Sequence, residues 1–153
     1  MGQSFITHTP EETEHLAAAI GVQLRGGECI ELSSDLGGGK TTFTRGLAAG
    51  AGSLDQVASP TFTISKRYQA QKLTLFHYDF YRLQEPGLVA EELAESVHDP
   101  LAVSIIEWAD TVEDVLPYNR LKISIQRSAD SETARTIHIA GPAESGYLLE
   151  GIV

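Results

Sequence analysis

The residues most able to do chemistry lie together in Ser33-Ser34-Asp35-Leu36-Gly37-Gly38-Gly39-Lys40-Thr41-Thr42. A nucleoside triphosphate needs inward-pointing backbone N–H groups, a helix N-terminus, a lysine and a hydroxyl for magnesium. Gly37, Gly38 and Gly39 let the backbone close around a β-phosphate without Cβ clashes. Lys40 is placed to reach the β- and γ-phosphates, and Thr41 to ligate Mg²⁺. The pattern G-x-x-x-x-G-K-[ST] asks for glycine where this chain has Ser34. Serine there removes no phosphate ligand. Glycine-rich turns also make plain strand-to-helix connections. Gly-Lys-Thr directly after a strand and opening a helix favours the phosphate loop.

Such a loop needs a carboxylate at the end of a neighbouring strand, to hold the magnesium or its waters. Asp79 ends the apolar run Leu73 to Tyr78, and Glu107 ends Val103 to Ile106. A charged residue closing an apolar strand can simply mark the return to solvent. Two of them in a chain with a phosphate loop favour a shared role, one serving the metal and the other assisting it or orienting the attacking water. Lys40, Asp79 and Glu107 are therefore the candidate catalytic residues. His77 reads as a half-buried strand histidine, and Trp108 as a residue that stacks on a base or a partner, or caps the core.

Elements must hold these residues in place. Thr9-Pro10-Glu11-Glu12 has the capping-box form with proline in the first turn. It predicts a helix through His15, Leu16, Ala19 and Ile20 that stops at Gly21 or at Gly26-Gly27. Cys29 to Leu32 reads as a buried strand, and Lys40 to about Ala49 as a helix ended by Gly50 and Gly52. Phe62 to Gln69 and Leu73 to Asp79 read as strands around a turn at Ala70-Gln71-Lys72. A helix through Leu88, Glu92 and Leu93, a strand Ala102 to Ile106 and a late pair, Leu121 to Gln126 and Thr136 to Ala140, complete the pattern. The tail from Gly141 is weakly patterned. Strands interleaved with helices predict an α/β, three-layer domain with a central mixed sheet flanked by helices. With no repeat or linker, the expectation is one domain over residues 1–153, its core at about 5–140.

The formal net charge is −10. A surface that binds RNA or DNA directly normally carries a basic face. From Leu83 to Asn119 there is no lysine or arginine, while nine acidic residues from Glu85 to Asp114 fall there. That stretch reads as a solvated acidic face or a docking surface for a basic protein. Cys29 is the one cysteine, which excludes an intramolecular disulfide and fits a reducing compartment. No secretory or membrane-spanning pattern is legible, so the expectation is a cytoplasmic protein with no membrane partner.

The loop Asp35 to Thr42, then Ser59-Pro60-Thr61-Phe62-Thr63, then His77-Tyr78-Asp79-Phe80-Tyr81-Arg82-Leu83, then Glu107-Trp108, follow one another as in the TsaE family, and the chain resembles that family over about residues 5–140. The loop alone is generic, but its combination with the other motifs is specific. The resemblance implies an ATPase that binds ATP and Mg²⁺ and acts on the TsaB–TsaD complex. That complex installs N6-threonylcarbamoyl on adenosine 37 of tRNAs reading ANN codons, so tRNA is met only through it. By resemblance Asp35, Leu36, Gly37, Gly38, Gly39, Lys40, Thr41 and Thr42 bind the nucleotide, Thr41 and Glu107 the magnesium, and Asp79 is the acid of the central strand. Ser59 to Thr63 resembles a switch segment near the γ-phosphate, and Thr9 matches a position near the adenine, although its role as a helix cap suffices. Many members carry a Gly-Arg pair in the late hairpin whose arginine approaches the nucleotide. Here that pair reads Ser131-Glu132, with Arg135 the nearest arginine.

Two other readings stand beside the ATPase. A small P-loop metabolite kinase needs an arginine-bearing lid, which the stretch without basic residues does not supply. A nucleotide-gated binding module without significant turnover would use the same carboxylates. No N-K-x-D or T-K-x-D element for reading guanine occurs in the chain.

Overall fold

The computed structural model describes residues 1–35, 37–60, 63–81 and 87–152. The readings placed on Leu36, Thr61, Phe62, Arg82, Leu83 and Glu85 lie outside them. Seven strands form one mixed sheet: β1 (Gly2–Thr7), β2 (Cys29–Ser33), β3 (Ser65–Gln69), β4 (Thr74–Asp79), β5 (Ala102–Glu107), β6 (Leu121–Arg127) and β7 (Arg135–Ala140). Their order is β1-β7-β6-β2-β5-β4-β3. The inner strands β6, β2, β5 and β4 run parallel, and the outer pairs are antiparallel. Every residue of β5 is buried, as its continuous apolar run requires of a strand covered on both faces.

Helices cover both faces. On one side α1 (Pro10–Gln23) and α2 (Lys40–Gly50) place Leu16, Ile20, Phe43 and Leu47 on Ile30, Leu32, Leu75, Val103, Ile105 and Ile123. On the other, α3 (Gly87–Ser96) and the 3-10 helix Ala109–Val115 bring Leu93 and Val112 against Tyr78, Phe80 and Ile106. The side-chain period of two along each strand sorts residues between these layers. Leu75, His77 and Asp79 share the α2 side, while Tyr78 faces α3. Cys29 is buried, as a small apolar strand residue would be, and burial pushes its thiol up to about 12.

The Thr9 cap of α1 forms as the sequence predicts, while the Glu12 carboxylate meets the amide of His8 rather than that of Thr9. The Glu12 amide donates to Thr9 Oγ1 at 3.1 Å, and the His8 amide to Glu12 Oε2 at 2.7 Å. Of the two stops expected, Gly21 is passed over and the helix ends at Gln23, shortly before Gly26-Gly27. A Cβ on Gly21 would lie 2.3 Å from the Leu47 carbonyl oxygen, so this glycine serves close helix packing rather than termination. Three elements have no counterpart in the sequence reading. They are β1, which pairs with β7, the 3-10 helix after Trp108, and a second 3-10 helix, Ala143–Leu149, in the tail. That tail packs inward through Leu148, and its Tyr147 hydroxyl donates to Glu28 Oε1 at 2.6 Å.

Candidate functional site

The parallel direction of β2, β5 and β4 puts their C-terminal ends at one edge of the sheet, where open α/β sheets bind ligands. The phosphate loop leaves β2 there. In register, Leu32 of β2 lies beside Glu107 of β5, and Glu107 beside Asp79 of β4. Two carboxylates far apart in sequence therefore stand side by side. A cleft of about 380 Å³ opens there, lined by Gly37 to Thr42, Ser59, Asp79, Tyr81, Glu107 and Trp108.

Helix α2 starts at Lys40 with Gly39 at its N-cap, at φ +112° and without a side-chain cap bond. Its first N–H groups are thus not claimed by a capping side chain, and the positive end of the helix faces the cleft. Gly39 needs its glycine for that φ. Gly38 needs its own for space, since a Cβ would lie 2.6 Å from Ser34 Oγ and 2.8 Å from the Asp35 carbonyl oxygen. Two arginines brace the loop from the β6–β7 hairpin, where Arg127 and Arg135 are paired in register. Arg127 Nη2 donates to the Gly37 carbonyl at 3.0 Å, and Arg135 Nε to the Gly38 carbonyl at 2.9 Å.

Lys40 is mostly buried, its side chain 9% exposed. Its ammonium donates to Ser34 Oγ at 3.1 Å and to the Ser34 carbonyl at 3.3 Å. It lies 4.0 Å from Glu107 Oε1 and 5.2 Å from the centre of the Trp108 ring. Trp108 turns the chain away from β5 in a left-handed conformation, φ +56°, and its ring meets that of Tyr81 at 4.7 Å. Backbone strain of this kind at a cleft wall is a frequent mark of function.

Asp79 is buried at 6% exposure. Its Oδ1 accepts from the Tyr81 amide at 2.9 Å. Its own amide donates to the carbonyl of Ile64 at 2.8 Å, a β-branched residue held at φ +68°. Glu107 is 3% exposed, with Oε2 2.5 Å from His77 Nε2. His77 is therefore not the half-buried strand histidine expected. It is wholly buried, because β4 is flanked by β3 and β5 and roofed on this side by the helical layer.

The structure brings Asp35 and Gly37 to Thr42 into the loop as the sequence predicts, and draws Lys40, Asp79 and Glu107 to one cleft. Thr9 caps α1 and is not among the residues lining that cleft. Arg127 and Tyr68 were not singled out from the sequence, and Tyr81 had no assigned part. Arg127 was legible only through the hairpin register that sets it opposite Arg135. Among the described residues no group of three or more His, Cys, Asp or Glu side chains forms a metal cage. The hard oxygens of Thr41, Asp79 and Glu107 fit a magnesium ion, which takes few protein ligands and keeps water and phosphate for the rest.

Among the described residues no helix is long and apolar enough to cross a membrane. The family described as threonylcarbamoyl adenosine biosynthesis protein TsaE matches residues 7–137 of the chain. The Bacillus subtilis tRNA threonylcarbamoyladenosine biosynthesis protein TsaE is 41% identical over 137 residues, covering 88% of this chain and 84% of that protein. Its Treponema pallidum counterpart is 32% identical over 132 residues, covering 86% of this chain and 97% of that one. The crystal structure of Bacillus subtilis YdiB superposes with a TM-score of 0.77 at 36% identity, covering 98% of this chain and 93% of that chain.

Proposed function

The chain belongs to the TsaE family of threonylcarbamoyl adenosine biosynthesis proteins, and from that premise we propose that it is a cytoplasmic, single-domain ATPase. It acts with the TsaB–TsaD complex in installing N6-threonylcarbamoyl on adenosine 37 of tRNA. The observation that carries this reading is the convergence of Lys40, Asp79 and Glu107 on one cleft at the N-terminus of α2. Lys40 would leave Ser34 to meet the β- and γ-phosphates, and the loop amides and helix N-terminus would receive the phosphate oxygens. Thr41 and Glu107 would hold the magnesium, with Asp79 assisting or orienting the attacking water. Held by Thr41 and Glu107, a magnesium ion would supply positive charge to offset the negative charge that develops during phosphoryl transfer.

Phosphate release is the test, measured with ATP and Mg²⁺ for the chain alone and with TsaB–TsaD. Release that rises when the complex is added is the expected result. Tight binding of ATP with no release in either condition would convert the reading into a nucleotide-gated binding module. Absence of ATP binding would remove the phosphate-loop assignment itself.

A further inference from the structure

His77 and Tyr68 make a buried chain that the chemistry above does not use. On β4 the imidazole has no exposed surface, and both its nitrogens meet side chains. Nε2 lies 2.5 Å from Glu107 Oε2, and Nδ1 lies 3.1 Å from the Tyr68 hydroxyl. Tyr68, on β3 and only 2% exposed, donates that hydroxyl to the Ala58 carbonyl at 2.9 Å. Ala58 precedes Ser59, which lines the cleft. Both ends of the chain therefore reach the cleft wall, one at Glu107 and the other at the backbone leading into Ser59.

The two oxygens of Glu107 are thereby divided. Oε2 is taken by His77, and Oε1 lies on the side of the Lys40 ammonium, 4.0 Å away. A carboxylate on a free side chain rotates, and a metal ligand that rotates binds poorly. Groups that hold a ligand from behind commonly change metal affinity by about 10- to 100-fold when removed. A histidine kept only to fill a core would not need a carboxylate at one nitrogen and a hydroxyl at the other. Burying three polar side chains in one line is costly unless each is paired, as these are.

We propose that His77 and Tyr68 are positioning residues for magnesium-dependent nucleotide binding. They fix Glu107 so that Oε1 is the oxygen offered to the cleft, and they tie that orientation to the Ala58–Ser59 wall. This rests on the ATPase reading above, and the test separates the two. Trp108 is the one tryptophan of the chain and lines the cleft, so its fluorescence reports on occupancy. The full chain is titrated with ADP in EDTA, then with Mg²⁺ at fixed ADP, for wild type, Tyr68→Phe, His77→Ala and His77→Gln.

Tyr68→Phe and His77→Ala are expected to leave ADP affinity in EDTA near the wild-type value. The magnesium concentration at half-change should rise by about 10-fold or more. His77→Gln, whose amide can reach Glu107 from the place of Nε2, should recover most of that loss. A wild-type magnesium midpoint in Tyr68→Phe overturns the proposal. So does an equal loss of ADP affinity with and without magnesium, which would mark a packing role. If His77→Ala does not fold, Tyr68→Phe keeps the ring and decides alone. A wild-type chain that shows no response to ADP is seen before any variant, and it overturns the ATPase reading instead.

Discussion

Ser34 shows how a single side chain can set the resting state of a site. It stands where a phosphate loop ordinarily has glycine, and its hydroxyl holds the Lys40 ammonium at 3.1 Å. A nucleotide must take the lysine from that hydroxyl. A hydrogen bond to a charged group such as this ammonium contributes about 1.5–3 kcal/mol net, equivalent to about 10- to 150-fold in affinity. Ser34→Gly should therefore fold normally and bind ATP more tightly by up to that factor in calorimetric titration; weaker binding would assign the hydroxyl to the nucleotide. The two acids make a sharper case. Asp79→Asn and Glu107→Gln preserve shape, so each should lower single-turnover hydrolysis by about 10- to 1,000-fold in the presence of TsaB–TsaD. The double variant should fall short of the product of the two, because both carboxylates line one cleft. A normal rate in either single variant removes that residue from the site. That these residues meet at one cleft was legible, because their types and strand-end positions point to chemistry on their own. The contacts of Tyr68 and Arg127 were not, because they arise from what lies opposite them in the sheet.

At the scale of elements, the reading of periodicity and caps worked where the signal is local and failed where packing overrides it. Thr9 caps the first turn within four residues, so α1 begins where the sequence says. Of its two expected stops, Gly21 failed because glycine carries two meanings, a stop and a close approach. At Gly21, Gly46 and Gly50 it is the second, although α2 also ends at Gly50, as expected, with Gly52 at φ +92°. A Cβ on Gly46 would lie 2.4 Å from the Glu14 carbonyl oxygen and 2.7 Å from the Ala17 Cβ; one on Gly50 would lie 2.1 Å from the Ala18 carbonyl oxygen. Strand β1 was missed for a related reason. It is an edge strand, mostly exposed, and its partner β7 lies at the far end of the chain. Ala in place of Gly inside a helix normally gains about 1 kcal/mol. Forcing a methyl into a filled contact with backbone costs about 1–3 kcal/mol, and backbone on both helices cannot step aside. Gly46→Ala and Gly50→Ala should therefore lower the denaturation midpoint in urea, while Gly146→Ala, with nothing within 4 Å of the new methyl, should leave it unchanged or raise it. Stabilisation by Gly46→Ala would show that the α1–α2 contact is looser than its geometry.

For the whole molecule the sign of the charge was fully legible and its distribution was not. The net charge is −10, and among the described residues the structure gives many of the cations other groups to serve. Arg120 lies between Glu31 and Glu113, at 2.6 and 2.5 Å; burial lowers its pKa, but the hydrogen bonds to both acids outweigh that and raise it. Arg45 meets Glu14 at 2.9 Å, and Arg67 meets Glu92 at 3.7 Å. Arg25 lies over the Tyr147 ring at 3.9 Å. Arg127 and Arg135 hold loop carbonyls, and Lys40 faces Ser34 and Glu107. A basic stripe able to displace counterions from tRNA is therefore missing among these residues, and phosphate neutralisation supplies nearly all non-specific affinity for nucleic acid. The chain alone should not retain tRNA in a filter-binding assay at about 0.15 M salt, even at concentrations of about 10 µM, where basic proteins with non-specific Kd values of about 1–100 µM begin to do so. TsaB–TsaD, added with ATP, should bring the chain and tRNA into one sedimenting species. Retention of tRNA by the isolated chain, weakening with salt on a log–log slope near −1 per phosphate, would show a nucleic-acid surface in the chain itself and overturn the view that tRNA is met only through the partner complex.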